Sequence, residues 1–274
     1  MRARSPILTL LMVSRPLLWL LQPLVFLIGL RVAQAPFSWQ AILQIVLLSF
    51  PFSLIMYGIN DVYDHDADRK NPRKRKADGM LLEKKQHRLV MWTAFFFSAL
   101  LLLSALLTNN TENVVAMVIC LFVAFAYSAP PLRLKNRPPL DSIANGFYFL
   151  GPFALGMSFG TSLWSMPLKF FLVTLGVIGI HAYSTIMDYT ADKHAGQRTF
   201  SVVFGKRAAA ICAMLLLVLI ILFGKFSLLN KIYVSFCALL AIITAVFPEE
   251  KLARSFLLVM LLGFVLSVLA YLLV

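Results

Sequence analysis

A chain of 274 residues that is 60% hydrophobic, with a mean hydropathy of +0.84, cannot cover the surface of a soluble domain, so the expected class is an all-α polytopic membrane protein. A formal net charge of +13 would suggest nucleic acid in a soluble protein. Here the charge is read through its distribution along the chain instead, and no nucleic-acid partner is expected.

The N-terminus, MRARSPILTLLMVSRP, has a basic start and a short apolar run, and Ala33-Gln34-Ala35 resembles a leader cleavage site. Against a removable leader, Arg15 and Pro16 interrupt the apolar segment and Leu17 to Gly29 continue it. The expectation is a short interfacial segment leading into a first retained span.

Apolar runs long enough to cross about 30 Å of hydrocarbon at about 1.5 Å per residue occur near Pro16–Ala33, Trp39–Asn60, His87–Leu107, Thr111–Ser128, Asp141–Thr161, Pro167–Asp188, Arg207–Gly224, Leu229–Phe247 and Ala253–Val274. The prediction is about nine transmembrane helices bundled around a central cavity, in a single domain covering residues 1–274. Cys120, Cys212 and Cys237 fall inside these runs without metal-ligand spacing, so packing is their expected role.

Nine spans place alternate connections on alternate sides, and the cations test this. The N-terminus, the 61–88 loop, the loops after Ser128 and Asp188, and the turn at Lys251 and Arg254 hold 21 of the 25 Lys and Arg residues. The positive-inside rule then predicts an N-terminus and three polar loops in the cytoplasm, with the C-terminus outside.

The second span ends in YGINDVYDHDADRKNPRKR, residues 57–75. If the helix continues to Asp68, Asn60, Asp61, Asp64 and Asp68 share one face and Asp66 points elsewhere. Carboxylates this close repel and need a compensating cation. Oxygen ligands without Cys or His suit a hard ion such as magnesium. Alone, the run also reads as a solvated acidic helix end.

A second cluster bears on that choice. HAYSTIMDYTADKHAGQRTF carries Asp188 and Asp192 four residues apart, at the end of the sixth span. One constant offset lays Asp64 on Asp188, Ala67 on Ala191, Asp68 on Asp192 and Arg69 on Lys193, a weak internal repeat. Both clusters are predicted to open on the cytoplasmic side, and two facing acidic helix ends can hold two magnesium ions and a diphosphate.

Between them lies AYSAPPLRLKNRPPLDS. Prolines 130, 131, 138 and 139 predict an extended loop, and Arg133, Lys135 and Arg137 can bind phosphate oxygens or simply be positive-inside charges. Gly156 and Gly160 form GxxxG, a sign of close helix packing. His181 lies two turns before Asp188 and reads more readily as a packed histidine than as a substrate contact. Asn109-Asn110-Thr111 is a glycosylation sequon on the expected outer side.

With Asn60-Asp61-x-x-Asp64-x-x-x-Asp68, Asp188-x-x-x-Asp192 and YSAPPLRLK in these places, the chain resembles the UbiA superfamily of intramembrane prenyltransferases over nearly its whole length. The resemblance implies a prenyl diphosphate bound through magnesium by Asn60, Asp61, Asp64, Asp68, Asp188 and Asp192. It further implies that the diphosphate leaves and the allylic group alkylates a lipophilic acceptor in the bilayer. Tyr127, Ser128 and Lys135 match the family's loop at the diphosphate, and Arg15 matches its arginine at the start of the first span. Arg133 and Lys193 join the expected substrate contacts.

The continuation Lys74-Arg75-Lys76-Ala77-Asp78-Gly79 departs from quinone-type members, which have a Thr and an Arg-Pro-Leu stretch there. YGINDVYD, NPRK, YSAPPLRLK with RPPLDSIANGFY, and HAYSTIMD with DKHAG look instead like the lycopene elongase branch, although two glycines are common in that branch where Arg75 and Lys76 stand here. A transporter or non-catalytic lipid binder is the alternative, but a transporter's charges are expected near the membrane midplane. A CDP-alcohol phosphotransferase would show an Asp-Gly followed by Ala-Arg pattern that residues 61–70 lack.

Overall fold

The computed structural model describes residues 5–69 and 81–273. The NPRK string and the Lys74–Gly79 departure lie outside the described residues. Fourteen α-helices and no strands occur among those described. Seven of these helices, counted with α3–α4 and α9–α10 each as one span, are long and apolar enough to cross a membrane, and an eighth span exists if a bent N-terminal pair counts as one. The expected count of nine is therefore not reproduced. The fifth predicted span is α8 (Leu140–Met157), which is not among the seven.

The chain divides into two compact units, residues 1–133 with 151–163, and residues 134–150 with 164–274. In the first, α1 (Pro6–Val13) begins at Ser5, whose hydroxyl accepts from Leu8 N, with proline at the first helical position. After a 3₁₀ turn at Pro16–Leu18, α2 (Leu21–Val32) completes a pair bent by 47°. Then come α3 (Trp39–Leu48) and α4 (Phe50–Tyr63), joined at Ser49, and α5 (His65–Asp68). α6 (Lys84–Leu106) opens with a reciprocal cap between Glu83 and Gln86, and α7 (Thr111–Ser128) with Asn110, which accepts from Glu112 N and Asn113 N.

α4 packs against α1, α3, α6 and α7, and so is the central helix of this unit. Val13, Leu54, Leu82 and Val90 form a fully buried knot beside it. The second half of α8 lies against α2 so closely that a Cβ on Gly156 would collide with the Phe26 carbonyl, and one on Gly29 with that of Phe153. Gly160 meets the Ala33 carbonyl in the same way, so the GxxxG pattern marks a close helix crossing as expected.

The second unit holds the first half of α8, then α9 (Leu168–Ser184), α10 (Tyr189–Ala195), α11 (Phe200–Phe204), α12 (Lys206–Phe223), α13 (Leu228–Val246) and α14 (Glu250–Leu273). α12 packs on α9 and α13, and α14 on α13. Leu258, Leu262, Leu266, Leu269 and Leu273 form an exposed stripe along α14, the pattern of a lipid-facing helix. Cys120 and Cys237 are buried, Cys212 is half-buried and none is bonded, in keeping with packing roles.

Candidate active site

Each acidic motif sits where a membrane-spanning helix changes character. α4 stops at Tyr63, and Asp64 adopts φ −95°, ψ 1° before α5 begins. The expected continuous helix is thus broken at Asp64. The hydrogen bonds Asp64 N to Asn60 O and Asp68 N to Asp64 O nonetheless keep the four-residue spacing. That is why the projected face survives: Asp61, Asp64 and Asp68 are 1%, 6% and 7% exposed, while Asp66 points to the outside.

In the second unit α9 tightens into a 3₁₀ turn over Thr185–Asp188, and α10 starts at Asp188 with φ −114°, ψ 6°. Asp64 and Asp188, paired by the sequence repeat, thus share the sparsely populated bridge conformation at the N-cap of a short helix. Gly196, at φ 72°, ends α10 and lets the chain return to donate Gln197 N to the Asp192 carbonyl at 2.9 Å.

Cations meet the first motif. Arg15, in the bend between α1 and α2, places Nη2 3.3 Å from Asp61 Oδ1, with its guanidinium 4.2 Å above the Tyr57 ring. Arg133 places Nη2 3.4 Å from Asp64 Oδ1. Both arginines hold left-handed backbone, φ 54° and 41°, the kind of local strain that collects at functional sites. The Nε of each is buried without a hydrogen-bond partner among the described residues. An anion with several oxygens would satisfy these donors.

Ser128, at the end of α7, donates to Asn60 Oδ1 at 3.1 Å. Tyr127 beside it is half-buried. The loop that follows is not extended: Arg133 N bonds Ala129 O and Arg137 N bonds Leu134 O, both at 2.9 Å. The residues between the prolines retain their donors, and these close turns. Lys135 is buried, at 5% exposure, in the 3₁₀ turn Leu134–Asn136.

At the second motif Thr199 donates to Asp192 Oδ2 at 3.1 Å. Lys193 is exposed, with Nζ 5.7 Å from the Tyr189 ring centre; Lys206 approaches the same ring at 5.0 Å. Glu250 accepts from Thr190 N at 3.2 Å and lies 3.8 Å from Lys206 Nζ. Sequence reading missed Tyr57, Thr199, Lys206 and Glu250. Tyr57 stands one helical turn before Asp61 and was open to that reading; Glu250 and Lys206 reach the motif only through tertiary packing.

Together these features describe an integral membrane protein with two acidic helix breaks, each bordered by cations. The chain belongs to the UbiA prenyltransferase family, whose pattern it matches over residues 23–254. It is 28% identical over 216 residues to the lycopene elongase/hydratase of Corynebacterium glutamicum, covering 76% of this chain and 74% of that protein. The lycopene elongase/hydratase of Haloarcula japonica is 32% identical over 201 residues, covering 72% and 67%. The fold is that of a UbiA homolog from Archaeoglobus fulgidus solved with DMAPP and Mg2+: TM-score 0.66, 22% identity, 96% of this chain and 99% of that one.

Proposed function

We propose that this protein transfers the allylic group of a prenyl diphosphate, dimethylallyl diphosphate first, to a carotenoid acceptor such as lycopene, using two magnesium ions. Residues 1–274 act as one catalytic domain in this reading. The observation that carries it is the burial of Asp61, Asp64 and Asp68 on one face at the end of a membrane-spanning helix, beside two arginines, in a chain of this family. The elongase relatives favour the carotenoid over a quinone precursor or a lipid glycerol.

The donor set fits magnesium. Asn60, Asp61, Asp64 and Asp68, with Asp188 and Asp192, supply oxygen only, as a hard cation requires. Among the described residues no three His, Cys, Asp or Glu side chains converge as a ready-made cage. Magnesium suits such a site because it takes one or two carboxylates and fills its shell with phosphate oxygens and water. When bound, it would neutralise charge developing on the departing diphosphate.

The protein's own groups do the rest. Arg15 and Arg133 donate to diphosphate oxygens as negative charge grows on them, with Lys135 and Lys193 adding positive potential and Tyr127 a hydroxyl donor, while Ser128 lines the site with its one hydroxyl proton given to Asn60 Oδ1. Ser128 also orients the Asn60 amide. Apolar walls keep water from the allylic cation until the acceptor alkene attacks it. The Lys and Arg distribution supports a site open to the cytoplasm, N-terminus inside and C-terminus outside.

A membrane assay tests this, offering dimethylallyl and geranylgeranyl diphosphates with lycopene, a quinone precursor and a lipid glycerol acceptor. The expected product is prenylated lycopene, lost with EDTA and restored by added Mg2+. Transfer to another acceptor would overturn the carotenoid assignment, and no transfer by folded protein would overturn the reaction.

A further inference from the structure

Three consecutive residues at the start of α11, Thr199, Phe200 and Ser201, tie the second acidic motif to the rest of its unit. An α-helix leaves its first N–H groups without intrahelical partners, and a threonine at the N-cap normally accepts from one of them. Thr199 stands at that position, yet its side chain makes no capping bond. Its hydroxyl donates to Asp192 Oδ2 instead.

Two other segments do the capping. Phe200 N donates to Asp141 Oδ2 at 2.9 Å, and Ser201 N donates to Thr185 Oγ1 at 3.0 Å. Asp141 is buried in the first turn of α8, where its other oxygen accepts from Ser142 N at 2.7 Å. Thr185 Oγ1 gives its proton to the Ala182 carbonyl at 2.7 Å, and so meets Ser201 N as an acceptor. With both N–H groups taken, the Thr199 hydroxyl is available to the motif.

Ser201 acts on Asp188 as well. Where α9 tightens, Tyr189 N bonds the Ile186 carbonyl, three residues back, in place of the Thr185 carbonyl that an α-helix would use. The buried Ser201 hydroxyl donates to that Thr185 carbonyl at 2.8 Å. At about 120° per residue instead of about 100°, the three steps from Thr185 to Asp188 turn the aspartate by about 60° relative to a continued α-helix. The hydroxyl thus stabilises the turn that aims Asp188.

We propose that Ser201, Thr185 and Asp141 are positioning residues for the metal held by the second motif. Ser201 and Thr185 fix the turn that aims Asp188, while Asp141 and Thr185 take over the capping of α11 and so release Thr199 to orient Asp192. Hydrogen bonds to the groups around a ligand set its direction, and their loss weakens the metal without touching the ligand. This rests on the magnesium-dependent reaction proposed above.

The test uses the full chain in detergent, with Mn2+ standing in for Mg2+, a thiol-linked analogue of dimethylallyl diphosphate that does not ionise, and electron paramagnetic resonance to measure bound ion. Asp188→Ala, which removes a ligand, marks the motif by its loss of affinity. Ser201→Ala, Thr185→Val and Asp141→Asn should each weaken Mn2+ about tenfold, and Thr185→Ser, which keeps the hydroxyl, should bind as the wild type does. In metal-free Ser201→Ala, the amides of residues 189–192 should exchange with deuterium faster, with those of α13 unchanged. Wild-type affinity in any of the three variants overturns the role given to that residue. Faster exchange throughout α13, or a Thr185→Ser as weak as the valine, overturns positioning in favour of general packing. If Ser201→Ala does not fold, the two Thr185 variants, close to the native volume, decide. Wild-type affinity in Asp188→Ala overturns the magnesium role of this motif and the positioning with it.

Discussion

Arg133 and Asp64, 69 residues apart in sequence, are ion-paired at 3.4 Å across the first acidic motif. The arginine is partly exposed, at 38%, and the carboxylate is at 8%, so the pair adds at most about 1 kcal/mol to stability. Arg133 also holds left-handed backbone, at φ 41°, a conformation that collects at functional sites. Arg133→Ala should therefore leave a folded, membrane-inserted protein and lower turnover about 100-fold. Steady-state kinetics beside a thermal melt would separate the two effects; a large fall in melting temperature would make Arg133 structural.

Asp64 and Asp66 differ by two residues and face opposite ways, one buried and one exposed. Asp64→Ala and Asp188→Ala, each alone, should lower turnover about 1,000-fold or more, while Asp66→Asn should stay within about threefold. The three variants belong in one membrane assay. Comparable losses at Asp66 and Asp64 would mean that total negative charge, and not a ligand face, is what matters.

Arg15 is held between the Asp61 carboxylate and the Tyr57 ring. A lysine keeps the charge but loses the planar fork and the stacking. Arg15→Lys should weaken prenyl diphosphate binding about tenfold, and Tyr57→Phe, which keeps a ring face, should be close to wild type. Binding of a non-hydrolysable diphosphate analogue measures both, and equal affinities for Arg15→Lys and wild type would remove the stacking argument.

Gly29 and Gly156 allow α2 and the second half of α8 to approach to backbone contact. A methyl group at either position would meet a carbonyl oxygen, which cannot rotate away as a side chain can. Gly156→Ala should destabilise by about 1–3 kcal/mol. Gly205→Ala, where φ is 94° but nothing lies within 4 Å, tests backbone strain without collision. Unfolding in detergent compares them, and an unaltered Gly156→Ala would show that the helices can part without loss.

Thr199 donates to Asp192 seven residues upstream. Thr199→Val should cost about tenfold in turnover, and Thr199→Ser, which keeps the hydroxyl, should restore most of it. A Thr199→Ser variant as poor as the valine would point to the methyl group's packing instead.

Much of this site was legible because its signals are local. Four carboxylates in eight residues at the end of an apolar run are visible in a string, and helical spacing alone separated Asp66 from its neighbours. The repeat that pairs Asp64 with Asp188 was legible as well, and both residues proved to adopt one backbone conformation. The helix break at Asp64 was not, since no proline or glycine marks it. The 130–139 loop was misjudged as extended because prolines were weighed and the remaining donors, which close its turns, were not.

The sequence by itself determined the membrane class and the helical spacing of the two acidic motifs, since each follows from composition or from spacing within a few turns. Which cation meets which carboxylate was decided only by tertiary structure. Arg15 reaches Asp61 across 46 residues and Asp141 reaches the start of α11 across 59. The count of apolar spans was settled there as well. Such pairings depend on how helices cross, and crossing is set by the shape of packed side chains and small residues, which carry no periodic trace along the chain.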